Sequence, residues 1–214
     1  MENELPITDE VISININVNS HSSIQFNDMF FDPYETSNVK KKAKYIFLTH
    51  THYDHLSEKD IDNVITPKTI IIATPDAKDP LSKYDNEKLF VEVNQKYELD
   101  NFSFETLPSY NINKNFHKKE NGWVGYKVYF NGITFAVLGD TDKTPELENL
   151  KCDILFVPIG GTYTMDKYEA TQLTNLIKPN LVIPVHYGSI VGEKKDAVDF
   201  VSKLDEQIAC KTFF

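Results

Sequence analysis

The chain has no arginine: all 22 basic residues are lysines, set against 32 acidic ones, for a formal net charge of -10. Without a guanidinium fork, no side chain can grip a phosphate or carboxylate through two parallel hydrogen bonds. An anionic substrate would have to be held by lysine, by a metal ion or by backbone amides. The acidic balance also disfavours nucleic acid as a partner, because phosphate backbones need a basic face. Cysteine is scarce as well. Cys152 and Cys210 stand far apart and read as free thiols in a reducing cytosol rather than as a disulfide. No apolar run approaches the ~20 residues that would span a bilayer. The acidic start, Met1 to Glu4, lacks the basic-then-apolar order of a secretory signal. Repeats, low-complexity tracts and Pro/Gly-rich linkers are absent, so nothing marks a second domain. The 214 residues, 41% hydrophobic and 25% charged, suit one domain with its own core.

What is present is mostly strand-like. Val11 to Val18 alternates, Ile24 to Phe31 is apolar up to Asp32-Pro33, and Lys44 to Leu48 is short and bulky. Ile70 to Ala73, Phe90 to Val93, Phe102 to Leu107, Trp123 to Phe130, Ile133 to Leu138, Ile154 to Ile159 and Leu181 to Val185 continue the pattern. Asn131-Gly132 is a hairpin signal, since both residues accept a positive φ. Helices are expected from Ser57, a candidate N-cap with an acidic first turn, from the capping-box-like Asp166-Lys167-Tyr168-Glu169 to about Ile177, and over Glu193 to Leu204. This mixed α/β order predicts two sheets packed face to face with helices outside.

Three of the apolar runs end in a potential metal ligand. Tyr45 to Leu48 leads to Thr49-His50, Phe135 to Leu138 leads to Gly139-Asp140, and Leu181 to Val185 leads to His186. Residues just past strand ends are held by rigid backbone, which suits them to sites. The first ending, His50-Thr51-His52-Tyr53-Asp54-His55, is the richest, with three of the six histidines in the chain. If it is extended, His50, His52 and Asp54 project to one side, and His55 is free to reach a second ion. Imidazoles mixed with carboxylates suit one or two borderline divalent cations, zinc by default and manganese or iron as alternatives.

The run His50-x-His52-x-Asp54-His55 resembles the signature of the metallo-β-lactamase superfamily. Gly139-Asp140-Thr141 resembles its bridging-aspartate motif, and Pro184-Val185-His186-Tyr187-Gly188 its terminal histidine motif. Ser20-His21-Ser22, Phe31-Asp32-Pro33-Tyr34 and Pro158 to Met165 resemble metal-dependent hydrolases related to L-ascorbate-6-phosphate lactonase. The resemblance implies a four-layer αββα sandwich with metal at the sheet edge. It implies His50 and His52 on one ion, Asp54, His55 and His186 on a second, and Asp140 between them. It further implies hydrolysis by a metal-activated water, with Asp54 orienting or deprotonating that water.

One departure stands out. The family supplies another histidine from the loop after a middle strand, where this chain has Pro108-Ser109-Tyr110-Asn111-Ile112-Asn113-Lys114. Either His117 takes that place, or the first site has only His50, His52 and Asp140, or the enzyme uses one ion. His21 is expected to line the pocket or to be a buried support, and Asp32 to brace a ligating histidine or simply to turn the chain. Tyr110, Asn111, Lys114, Tyr163 and Tyr187 are candidates for substrate contact. Gly160-Gly161-Thr162 could offer backbone amides to an anion or form a plain turn. Asp142 reads as a loop acid and Trp123 as core. The expected substrate is a small polar or phosphorylated metabolite carrying an ester-like bond. No nucleic acid or membrane partner is expected, and a homo-oligomer is left open. The other readings are a non-catalytic metal sensor, motivated by the missing middle histidine, a nuclease, and a β-lactamase proper.

Overall fold

A computed structural model describes residues 14–213, so the start of the first expected strand, residues 11–13, lies outside the described residues. Thirteen strands form two sheets. The six-stranded sheet runs in sequence order through β1 (Ile16–Ser20), β2 (Ser23–Phe26), β3 (Met29–Phe31), β4 (Tyr45–Phe47), β5 (Ile70–Ala73) and β6 (Lys88–Phe90). The seven-stranded sheet contains β7 (Lys96–Leu99), β8 (Phe102–Pro108), β9 (Val124–Phe130), β10 (Ile133–Val137), β11 (Ile154–Pro158), β12 (Leu181–Val185) and β13 (Ala209–Cys210), ordered from β13 back to β7. The helices are α1 (Glu58–Val64), α2 (Lys167–Ile177) and α3 (Lys194–Val201).

The layering follows from period-two alternation in strands apolar on both faces. In β4, Tyr45 and Phe47 join the central core while Ile46 faces the layer that contains Ile61 and Val64 of α1. In β10 and β11, Phe135, Val137, Ile154 and Phe156 point inward, whereas Ala136, Leu155 and Val157 meet Ala170, Leu173 and Phe200 of the other helices. On the inner face of the six-stranded sheet Phe31 stacks on its strand neighbour Phe47 at 4.6 Å, and across the two sheets Phe26 stacks on Phe135 at 4.0 Å. The result is the expected αββα sandwich.

Several local readings shift. The apolar stretch Ile24 to Phe31 is a hairpin, turned at Asn27 with φ 53°. Ser57 does not cap a backbone amide; its hydroxyl donates instead to Asp60 Oδ2 at 2.6 Å. The strand expected at Phe90 to Val93 begins earlier, at Lys88. The hairpin at Asn131-Gly132 forms with both residues at positive φ, and Asp166 and Glu169 make the reciprocal capping box of α2. Both cysteines are free thiols, and burial pushes Cys152 up to about 12 and Cys210 to about 11. No helix among the described residues is long and apolar enough to cross a membrane.

Candidate metal centre

Strands β1, β3 and β4 of one sheet and β8, β10, β11 and β12 of the other are mutually parallel within each sheet. Their carboxyl ends deliver His21, Asp32, the His50 to His55 run, the loop to His117, Asp140 and His186 to one edge of the sandwich. All six histidines of the chain gather there.

They fall into two groups. His50, His52 and His117 form the first, with His50 Nε2 at 3.1 Å from His52 Nδ1. His21, Asp54, His55 and His186 form the second. The run 50–55 is not extended throughout: it turns at His52, whose carbonyl accepts from the amides of His55 and Leu56. That turn carries Asp54 away from His50 and His52 and into the second group, so the three do not converge as an extended chain would place them. Asp140 lies between the groups. Its Oδ1 is 3.3 Å from His55 Nε2, and its Oδ2 is 3.3 Å from His117 Nε2 and 2.9 Å from His186 Nε2.

Supporting hydrogen bonds fix the rings. Asp32 accepts from the Thr49 amide at 2.8 Å, from Thr49 Oγ1 at 2.7 Å and from His55 Nδ1 at 2.8 Å. Thr49 Oγ1 in turn accepts from His50 Nδ1 at 3.0 Å. One buried carboxylate therefore sets the tautomer of two histidines, directing each Nε2 into the site. Asn111 does the same for His117: its Oδ1 accepts from both His117 N and Nδ1, each at 3.1 Å. Asn111 is held by Asp142 and the Tyr163 carbonyl, and Lys114 is tied to Asp142 and the Thr164 carbonyl. So Asp142 is the anchor of this loop, and Asn111 and Lys114 are its braces.

Backbone shape contributes. His21, Asp32 and His186 all have positive φ, at 46°, 45° and 59°, a conformation that costs non-glycine residues energy and concentrates at functional sites. Gly160 permits the approach of His186: a Cβ there would sit 2.2 Å from the His186 carbonyl oxygen. The amides of Gly161 and Thr162 donate to Met165 and Gly160 carbonyls, so this segment is a tight turn and not an anion cradle. Tyr110 is not brought to the site; its hydroxyl donates to Glu146. Trp123 packs against His50 and His52, at 4.8 Å from each.

The chemistry of the donor set fits a divalent cation. His21 Nε2, His55 Nε2, His117 Nε2, both ring nitrogens of His186 and Asp140 Oδ1 are buried without a hydrogen-bond partner. The ion-pair distances above are short, but the atoms are not aligned for hydrogen bonds. Each such group would cost ~1–3 kcal/mol if left unsatisfied; a cation at their focus offsets that. Burial pushes His50 well down and His21 down to about 4, so both imidazoles are neutral. Burial alone would raise Asp140 and Asp54. The histidines around them win, His186 and His55 for Asp140 and His21 and His55 for Asp54, and hold both carboxylates low and ionised. Neutral imidazole and carboxylate are the forms that ligate; His55, which against its burial Asp140 and Asp32 hold well above the usual imidazole range, would give up its proton to an incoming cation.

Above this floor lies a pocket of about 230 Å³. His52, Asp54, His117, Asp140 and His186 reach it from below, and Tyr53, Phe116, Tyr163 and Ile190 surround its mouth. The four mouth residues include three that the sequence reading passed over. The available signal was three bulky apolar side chains, Tyr53, Phe116 and Ile190, placed beside ligand histidines in loops where solvent exposure would be expected.

Fold and site together define the class, a metal-dependent hydrolase of the metallo-β-lactamase superfamily, and the chain belongs to that superfamily: the family model for the β-lactamase superfamily domain matches residues 21–186. Among relatives, a UPF0173 metal-dependent hydrolase of Saccharolobus solfataricus is 31% identical over 178 residues, 79% of this chain and 76% of that one. A UPF0173 protein of Pyrococcus abyssi is 29% identical over 174 residues, 77% of each chain. Among solved structures, a protein described as a metal-dependent hydrolase from Parabacteroides distasonis superposes with a TM-score of 0.78 at 28% identity, covering 94% of this chain and 92% of that one.

Proposed function

We propose that the protein hydrolyses an ester-like bond of a small molecule, a lactone, phosphodiester, thioester or amide, using two divalent ions with zinc as the first candidate. One observation carries the reading: six histidines and two aspartates from both sheets gather in adjoining clusters, and ring nitrogens of four of those histidines are buried without a hydrogen-bond partner among the described residues. In this reading His50, His52 and His117 would hold one ion, and Asp54, His55 and His186 the other, with Asp140 placed between the two groups. His117 fills the place of the missing middle histidine, which removes the motive for a sensor with an incomplete site.

A bound ion of this kind acidifies water to a pKa of about 7 and polarises the substrate oxygen. The chain's own residues do the rest. Asp54 lines the pocket and is ionised, which suits it to orient a water there. His21 Nε2, 3.3 Å away, and His55 Nε2, 3.5 Å away, hold that carboxylate in place. His21 is fully buried with its Nε2 against Asp54 Oδ2, and in this reading it acts through Asp54 as a positioning residue.

The test is elemental analysis of purified protein joined to turnover of chromogenic esters, lactones and phosphodiesters with zinc and manganese. Two ions per chain are expected, with Asp54→Ala and Asp140→Ala each lowering kcat/KM by about 100-fold or more. Protein that takes up no transition metal, or takes it up and turns over nothing in the panel, would overturn the reading.

A further inference from the structure

We infer that the site selects a substrate uncharged outside the bond that is cleaved and carrying an aromatic or branched aliphatic group, an inference that rests on the hydrolase reading and names its substrate class. Tyr53, Phe116, Tyr163 and Ile190 come from four separate loops, after β4, β8, β11 and β12. Tyr53 is 66% exposed, Phe116 47% and Ile190 38%. Exposed apolar side chains singly need no explanation, but several lining one pocket mark a contact surface. Phe116 and Tyr163 pack edge to face at 4.7 Å, which fixes one wall of the pocket.

Charge points the same way. The chain has no arginine, and no lysine lines this pocket. Lys114, in the loop beside it, is committed to Asp142 at 2.5 Å and to the Thr164 carbonyl at 2.7 Å. Lys119 pairs with Glu146, where Tyr110 already sits. A phosphoryl or carboxylate group seated beyond the reach of the bound cations would meet Phe116, Ile190 and two tyrosines but no cationic side chain, in a protein of net charge -10. A tyrosine hydroxyl offsets little of the cost of desolvating a charge. The expectation of a phosphorylated metabolite therefore gives way to an uncharged one. The volume of about 230 Å³ lies below the ~300–1,000 Å³ typical of pockets for drug-sized ligands, so the apolar group is the size of one ring or a short branched chain.

Two readouts test this on the metal-loaded protein. The first is calorimetric binding of three hydroxamates that share one metal-chelating head: acetohydroxamate, benzohydroxamate and 4-carboxybenzohydroxamate. Benzohydroxamate is expected to bind about tenfold or more tighter than each of the others, a gain of ~1.4 kcal/mol. Phe116→Ser and Ile190→Ser are expected to bring the benzo-to-aceto ratio close to one, with metal content unchanged. The second is kcat/KM for phenyl acetate against 4-acetoxybenzoate, expected to favour the uncharged ester by a similar factor. Equal or tighter binding of the carboxylated hydroxamate, or a ratio untouched by both serine variants, would overturn the inference while leaving hydrolysis intact. Selective binding of benzohydroxamate with no turnover of any ester would instead sink the hydrolase reading and support the pocket's selectivity.

Discussion

Asn111 Oδ1 accepts from the backbone amide and from the ring Nδ1 of the same residue, His117. That double contact decides which nitrogen of His117 faces Asp140, and it closes the loop on itself, because the Asn111 amide also donates to the His117 carbonyl at 2.7 Å. Asn111→Ala is therefore expected to weaken the first ion's binding by about 10–100-fold, the usual cost of losing an outer partner of a ligating histidine. The second ion should be little affected, since Asp54, His55 and His186 take no support from Asn111. Competition titration with a chromogenic chelator would resolve the two steps; a variant with both affinities unchanged would refute the orienting role. The same contact explains what could and could not be read from sequence. The spacing of His50, His52, Asp54 and His55 is local and legible. The place of His117 depends on a loop folding back six residues onto Asn111 and on Asp142 from the loop after β10, and no periodicity encodes that. Asn111 and Tyr110 looked alike as candidates, yet one braces a ligand and the other turns away to Glu146.

At the scale of elements, α1 is short and its candidate cap does not cap. Its attachment comes from Asp60, whose Oδ1 accepts from the Thr36 amide at 2.8 Å and whose Oδ2 accepts from Ser57 Oγ at 2.6 Å. This ties the helix to the segment after Asp32 and so steadies the turn that carries Asp54 and His55. Burial alone would raise the Asp60 carboxyl, but the hydrogen bonds from Ser57 and Thr36 outweigh it and hold it below the ordinary value of 3.8. A carboxyl lowered on folding contributes stability above its unfolded pKa of ~3.9, and loses it as pH falls through the lower folded value. Asp60→Asn is thus expected to cost about 1–3 kcal/mol at pH 7, with the gap to the parent protein narrowing below about pH 4. Urea unfolding at pH 7 and at pH 3 measures both; a gap that stays constant with pH would remove the carboxylate from the account. Strands buried on both faces, such as β5, β10 and β12, were legible because their runs are continuously apolar. The edge strand β7 was not: its residues alternate between exposed and half-buried, and the two residues of β13 carry too little pattern to register.

For the whole molecule, the decisive fact is that the site is shared by two layers. His21, Asp54 and His55 stand on the six-stranded sheet and its loops, whereas His117, Asp140 and His186 stand on the seven-stranded one. Each ion in the proposed arrangement draws ligands from both, so it links the sandwich at the edge where the two sheets open to solvent. Without it, the buried ring nitrogens of four histidines and Asp140 Oδ1 lack a hydrogen-bond partner among the described residues. Binding that favours only the folded state adds ~2.7 kcal/mol when free ion is about 100 times its Kd, and for a domain of this size that is a Tm shift of about 5–10 °C. Exhaustive chelation is expected to lower Tm by that amount, and restoring zinc or manganese to recover it. Because the link joins both sheets, the loss should appear at equal temperature in near-UV signals from Trp123, beside the first group, and in far-UV signals from the whole fold. A chelated protein with an unchanged Tm would mean that the histidine cluster folds without help from a cation, and the metal-centred account of this edge would fail.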